Sequence, residues 1–258
     1  MTSDADLEMI IADLGSVFLE DCSHRLDTVD HFINQISDRV GNHDHHVMDI
    51  ERIIHSIKGA AGGAGFPVVV HIAHAFEDYI NLADQQARIA VDDCRDFVNA
   101  IRFVSIKRGQ LNEKQVSNIL EGLPLPGCGE GQRGKRVKGH IIFVLPKGLR
   151  RQVISRELAS FGFRITNAEN IVQTIDFALY LKPDLVITAM DLEEANGLEL
   201  AAALSSFSCL AHTQIAVLSA LSASHIEQMT TPKNTTLLTG GSSLSVQLLK
   251  FIRSSGLT

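Results

Sequence analysis

The chain has 258 residues, 45% hydrophobic and 21% charged, with a formal net charge of −7, the composition of a soluble globular protein of about two domains. No apolar run approaches the ~20 residues that span a bilayer, and the start, MTSDADLEMI, has no basic stretch leading into an apolar one, so neither a membrane span nor a secretory signal is expected. Residues 1–121 hold 20 acidic and 10 basic residues, a balance of −10, and 122–258 hold 10 and 13, a balance of +3; nucleic-acid binding is not expected, because phosphate contacts need clustered Lys and Arg.

Residues 5–38 read as one long amphipathic helix. Leu7, Ile10, Ile11, Leu14, Phe18, Cys22, Leu26, Val29, Ile33 and Ile36 recur at spacings of three and four. Ser3 or Asp4 is placed to cap it, and Gly15 marks a bend or a break into two helices. Gly41 to His46, GNHDHH, reads as a turn. Its His43, His45 and His46 are read as solvated, because no carboxylate or cysteine framework for a metal accompanies them. A helix over about 47–64 follows. Pro67 suits the first turn of the next helix, about 67–86, with Val69, Ile72, Ala73, Phe76, Ile80 and Ala83 as its stripe. His74 and Glu77 lie i,i+3 on its polar side and so are able to touch. A last helical region spans about 91–121, through Val91, Cys94, Phe97, Val98, Ile101, Val104 and Ile106. Four one-sided helices with short connections predict an all-α antiparallel four-helix bundle over 1–121.

Residues 122–138, GLPLPGCGEGQRGKRVK, read as a flexible linker, since prolines and glycines replace the helical pattern. From 139 to 258 strands and helices alternate. Strands are predicted at 140–145, 164–166, 184–188, 214–218 and 236–238, and helices at 149–161, 171–181, 197–205, 222–230 and 244–253. Such a (βα)5 pattern predicts a parallel sheet covered on both faces. The four cysteines, Cys22, Cys94, Cys128 and Cys209, are scattered without a CxxC pair, which points to a reducing, cytoplasmic setting and away from a zinc ribbon or disulfide frame.

The most unusual stretch is Ile50 to Phe66, IERIIHSIKGAAGGAGF. At 100° per residue, Ile50, Ile53, Ile54, Ile57, Ala61 and Ala64 form one apolar stripe. His55, Lys58, Gly59 and Gly62 fall together on the opposite face, which helices normally fill with long polar side chains. Metal ligation by His55 wants a second ligand at i+3 or i+4, where Lys58 and Gly59 stand. Acid–base catalysis wants a pocket, which a convex helix face lacks. Nucleophilic attack on phosphorus fits better: Lys58 offers positive charge to phosphoryl oxygens, the glycines let a second protein approach, and His74 and Glu77 are placed to hydrogen-bond the imidazole and fix its tautomer.

The run from His55 through Lys58, Gly59 and Gly62 to Phe66 resembles the HxxKG signature of histidine-containing phosphotransfer (HPt) domains, and especially the phosphotransfer domain of chemotaxis histidine kinases. In that family the phosphorylated histidine is followed by lysine at +3, histidine at +19 and glutamate at +22; Lys58, His74 and Glu77 stand there. The resemblance covers about residues 5–121. It implies phosphorylation of His55 on Nε2 and exchange with an aspartate of a receiver domain in a bacterial two-component phosphorelay. It implies no cofactor in the bundle itself, the magnesium belonging to the partner receiver.

Residues 139–258 resemble the flavodoxin-like receiver domain of response regulators, best at Lys182 to Thr188 (KPDLVIT) and Asn196 to Leu200 (NGLEL). The receiver's phosphoacceptor place holds Ala189, its acidic pair falls at Leu145 and Pro146, and its lysine falls near Gly240. Only the hydroxyl persists, as Ser219. Magnesium needs hard oxygen ligands, and Asp191, two residues beyond Ala189, stands alone. The expectation is a pseudo-receiver that docks, regulates or dimerises without accepting phosphate. The whole chain then reads as a phosphocarrier without its own kinase domain, partnered by histidine kinases or receivers. The alternative is a scaffold or sequestering protein that binds receivers without transfer.

Overall fold

Apolar positions three and four apart carry α1 (Asp4–Asp38) as one helix through Gly15, without the predicted bend or break. The computed structural model describes residues 4–83, 89–107, 110–125, 138–193, 195–219, 230–239 and 244–256, and the chain divides into two units, 1–133 and 134–258. Phe18, Cys22, Leu26, Val29 and Ile33 are buried on α1. Leu14, predicted in that stripe, is 52% exposed. The buried row reaches Gly15 instead, and position 14 falls 100° away from 15 around the helix.

The second helix, α2 (His43–Gly63), starts four residues earlier than its pattern suggested. Asn42 Oδ1 accepts from the amides of Asp44 (2.9 Å) and His45 (3.3 Å), which is an N-cap satisfying otherwise orphaned donors. His43, His45 and His46 therefore stand in a first helical turn and not in a loop. Gly41, at φ +74°, makes the reversal between α1 and α2, a backbone conformation that favours glycine, and a Cβ there would lie 2.6 Å from His46 Nε2 and displace that ring. Among the described residues no group of three or more His, Cys, Asp or Glu is placed to hold a metal ion.

Phe66 turns the chain out of α2 and packs on Phe18, ring centroids 4.7 Å apart. Helix α3 (Pro67–Ala83) follows, then α4 (Val91–Ile106) and α5 (Glu113–Gly122); residues 84–86 of the predicted third helix lie outside the described residues. The single helical region predicted over 91–121 is thus two helices. The break has a local cause: the Asn112 side chain accepts from Gln115 N and the Gln115 side chain from Asn112 N, each at 2.9 Å, a capping box that restarts the helix. Ile106, predicted apolar and inward, is exposed at the end of α4. Helix α1 packs on α2 and α4, and α3 on the same two, which closes the four-helix bundle with α5 added against α3. Arg102 on α4 ties α1 through Asp27 and Asp30, both at 2.6 Å.

The second unit is a five-stranded parallel sheet, order β2-β1-β3-β4-β5. Its strands are β1 (Gly139–Val144), β2 (Phe163–Asn167), β3 (Leu185–Ala189), β4 (Gln214–Ser219) and β5 (Thr235–Thr239). Four helices accompany them among the described residues: α6 (Leu149–Ser160), α7 (Ile171–Leu181), α8 (Gly197–Ser205) and α9 (Leu244–Ser254). One core joins α6 and α9 to the sheet through Ile154, Leu158, Leu248 and Ile252; the other joins α7 and α8 through Phe177, Ala178, Leu200 and Leu204. This is the doubly wound flavodoxin-like order, whose crevice lies at the carboxyl ends of β1 and β3. The helix predicted at 222–230 falls, but for Thr230, outside the described residues, as do 126–137 of the predicted linker. No helix among the described residues is long and apolar enough to cross a membrane.

Candidate functional site

The apolar stripe of α2 decides where its histidine points. Ile50, Ile54, Ile57 and Ala61 are buried against α1 and α3, which leaves His55, with a side chain 74% exposed, on the outer face. The glycines beside it serve no close packing of the bundle: a Cβ at Gly59 would meet nothing within 4 Å, and one at Gly62 only Val70 Cγ2 at 3.9 Å. The bare face expected from the pattern is therefore open space.

One carboxylate organises the site. Glu77, on α3 and only 10% exposed, meets His55 Nδ1 through Oε1 at 2.9 Å and accepts from Lys58 Nζ through Oε2. Buried carboxylates need such partners, because desolvation without them is costly. An ionised carboxylate only accepts hydrogen bonds, so this contact puts the imidazole proton on Nδ1 and leaves the Nε2 lone pair free of it. The Lys58 side chain, 17% exposed, is held by this carboxylate with its ammonium one turn from His55.

The sequence placed His74 and Glu77 together at the imidazole. In the structure Glu77 reaches it, and His74 is buried behind, with Nδ1 3.7 Å from Glu77 Oε2 and Nε2 3.6 Å from Asp78 Oδ2. Asp78 was not singled out from the sequence, although its i+4 spacing from His74 was there to read. A further contact had no local signal: Arg25, on α1, donates to Ser56 Oγ at 2.5 Å and to Asp21 at 2.6 Å, bracketing α2 on the side away from Glu77.

In the second unit the strand ends bring the compared positions to the crevice. Ala189 is the last residue of β3 and Ser219, buried, the last of β4. Leu145, buried, and Pro146, exposed, follow β1; Gly240 lies outside the described residues. Gly197 packs against this edge so closely that a Cβ would stand 2.2 Å from the Ala189 carbonyl oxygen. Asp191 is exposed and paired in a short bridge with Asn196.

Residues 13–114 match the family model of the Hpt domain. The helical unit carries this Hpt region. Among solved structures, the chain is similar to a crystal structure of a response regulator from Desulfuromonas acetoxidans, at 19% identity and TM-score 0.38, over 45% of this chain and 94% of that one. Comparison with curated proteins returns no match.

The open space at Gly59 of the Hpt domain separates stability from docking. Glycine inside a helix costs about 1 kcal/mol relative to alanine, so Gly59→Ala is expected to raise stability by about that amount in denaturant unfolding. Gly59→Arg is expected to fold equally well yet slow exchange with a partner receiver at least ~10-fold, since a long side chain there fills the approach to His55. Unimpaired exchange by the arginine variant would remove the docking role.

His71, one turn before His74, supplies a pH dependence. Burial, with a smaller push from His74, lowers its pKa from 6.5 to about 4. The unfolded chain then binds more protons than the Hpt domain between those values, so stability is lost as pH falls from about 6.5 to 4. The full loss is about 3 kcal/mol. Urea unfolding across this range is expected to show it, with a flatter profile for His71→Leu; equal slopes in the two proteins would assign the loss elsewhere.

Proposed function

We propose that this protein is a phosphocarrier of a two-component phosphorelay, holding a phosphoryl group on Nε2 of His55. The observation that carries the reading is the hydrogen bond between His55 Nδ1 and Glu77, on an imidazole whose other side faces solvent. The Nε2 lone pair forms the N–P bond while the bond from phosphorus to its leaving oxygen breaks, and that electron pair departs with ADP or with an aspartate carboxylate. The Nδ1 proton stays in place. The ring becomes cationic as the bond forms, so the Glu77 carboxylate interacts more strongly with the transition state than with the resting site. Lys58, already held at the site, supplies positive charge for the phosphoryl oxygens.

A histidine kinase or a phosphorylated receiver charges His55 in this reading. We further infer that the receiver-like unit is a docking or regulatory module that does not itself accept phosphate. Leu145, Pro146 and Ala189 supply neither the carboxylate pair that a hard cation needs nor an acceptor aspartate. A cytoplasmic location suits both partners and chemistry.

The test is to incubate the full chain with a histidine kinase, ATP and magnesium, then map the label. An acid-labile, alkali-stable label on His55 that chases onto a receiver aspartate is expected. Label on another residue would overturn the assignment of His55. Tight receiver binding with no label transfer would instead make the protein a sequestering scaffold.

A further inference from the structure

A phosphoryl group on His55 brings close to two negative charges to a helical unit whose residues 1–121 already sum to −10. Cations close to Nε2 therefore decide how well the loaded site is held. Lys58 stands about 60° round α2 from His55 on one side, held by Glu77. Ser56 stands about 100° round on the other side, and Arg25 reaches it from α1. Arg25 donates from Nη1 to Ser56 Oγ at 2.5 Å and from Nε to Asp21 Oδ2 at 2.6 Å. A guanidinium has five N–H donors, and among the described residues no further acceptor meets the other three. Phe18 meets Phe66 and Arg25 meets Ser56, so α1 runs antiparallel to α2. The guanidinium, drawn back toward Asp21, thus points along α2 toward Gly59. Gly59 lies about 40° round from His55 on that same side, and a Cβ there would meet nothing within 4 Å. The sector between His55 and Ser56 is open on the turn that follows them. Arg52, in that sector on the preceding turn, is 71% exposed and pairs with Asp49 at 3.3 Å.

We propose that Arg25 is the second cation of the phosphorylated site. When His55 carries phosphate on Nε2, the guanidinium releases Asp21 and donates to a phosphoryl oxygen across the open sector at Gly59, opposite Lys58. This role rests on the phosphotransfer reading of His55. The exchange is favourable on its charges. The Arg25 and Asp21 side chains are 37% and 45% exposed, and exposed ion pairs contribute little. The phosphoryl group is a doubly charged acceptor that a planar guanidinium fork fits. The pair with Asp21 is then the resting position of a side chain whose working partner arrives with the phosphate. No covalent bond changes in the exchange, and the Nδ1 proton stays on His55.

Phosphorus NMR of the full chain tests it. Potassium phosphoramidate charges imidazoles without a kinase, releasing ammonia, and the His55 resonance is the one missing from His55→Gln. Arg25→Gln is expected to raise the titration midpoint of that resonance by at least ~0.5 pH unit, because loss of an adjacent cation disfavours the dianion. Arg25→Lys keeps the charge without the fork and is expected to fall between the two. Ser56→Ala removes the hydrogen bond between α1 and α2 but keeps the cation, and is expected to match the wild type. All variants are checked for folding by circular dichroism. An Arg25→Gln midpoint equal to wild type would overturn Arg25 as a phosphoryl ligand and leave the reading of His55 standing. So would a Ser56→Ala shift as large as that of Arg25→Gln, or a larger shift in Arg52→Gln. Absence of any resonance that depends on His55 would overturn the phosphohistidine reading itself, and this ligand with it.

Discussion

His55→Gln is expected to take up no phosphoryl label while folding as the wild type does. The side chain is mostly exposed and is hydrogen-bonded to Glu77, whose other oxygen is still held by Lys58. Surface changes of this kind stay within about 0.5 kcal/mol of wild type, so melting temperature and receiver affinity are expected to be nearly unchanged. Glutamine keeps polar reach but offers no ring nitrogen as nucleophile. The measurement is label incorporation from a charged kinase, read beside a binding titration against a receiver. Alkali-stable label persisting in the variant would move the phosphoryl group to another histidine.

Glu77→Ala is expected to lower the rate of phosphorylation by about 10- to 150-fold, because hydrogen bonds to charged groups contribute about 1.5–3 kcal/mol and that energy is realised as the imidazole becomes cationic. Removal of the carboxylate frees both ring tautomers, so part of the population presents a protonated Nε2 that cannot attack. It also leaves the Lys58 ammonium, only 17% exposed, without its counterion. The loss should appear in the turnover rate and little in the partner's KM, because Glu77 is buried behind the exposed face of α2. Rates within about threefold of wild type would remove Glu77 from the mechanism. A loss confined to KM would make its role one of docking.

The face of α2 was legible because two periodic signals agree there. The isoleucines fix one side at 3.6-residue spacing, and the glycines and His55 then have only the outer side to occupy. The strand ends of the second unit were legible for a similar reason: short apolar runs bounded by turn residues place Ala189 and Ser219 within a residue of the sheet edge. What escaped was set by interactions that periodicity does not encode. Asn42 draws the start of α2 back through a histidine run that looks like a loop. Asn112 and Gln115 split a helical region whose apolar spacing runs on across the break. Glu77 and His74 share a helix face, yet only the three-dimensional crossing of α2 and α3 decides that the carboxylate touches the imidazole and the second histidine stands behind it. Arg25 reaches Ser56 from 31 residues away, and no local pattern announces it.

The glycines at 59, 62 and 63 have a kinetic consequence. Together they weaken the end of α2 by roughly 3 kcal/mol relative to alanine, and among the described residues nothing stands within 4 Å of where a Cβ would lie at Gly59 or Gly63. Local opening draws on the least stable segments first. The amides of this last turn are therefore expected to exchange with solvent deuterium well ahead of those around Ile50 and Ile54, on the same helix. A bound partner would slow them, so the breathing of one helical turn becomes a direct reporter of occupancy at His55.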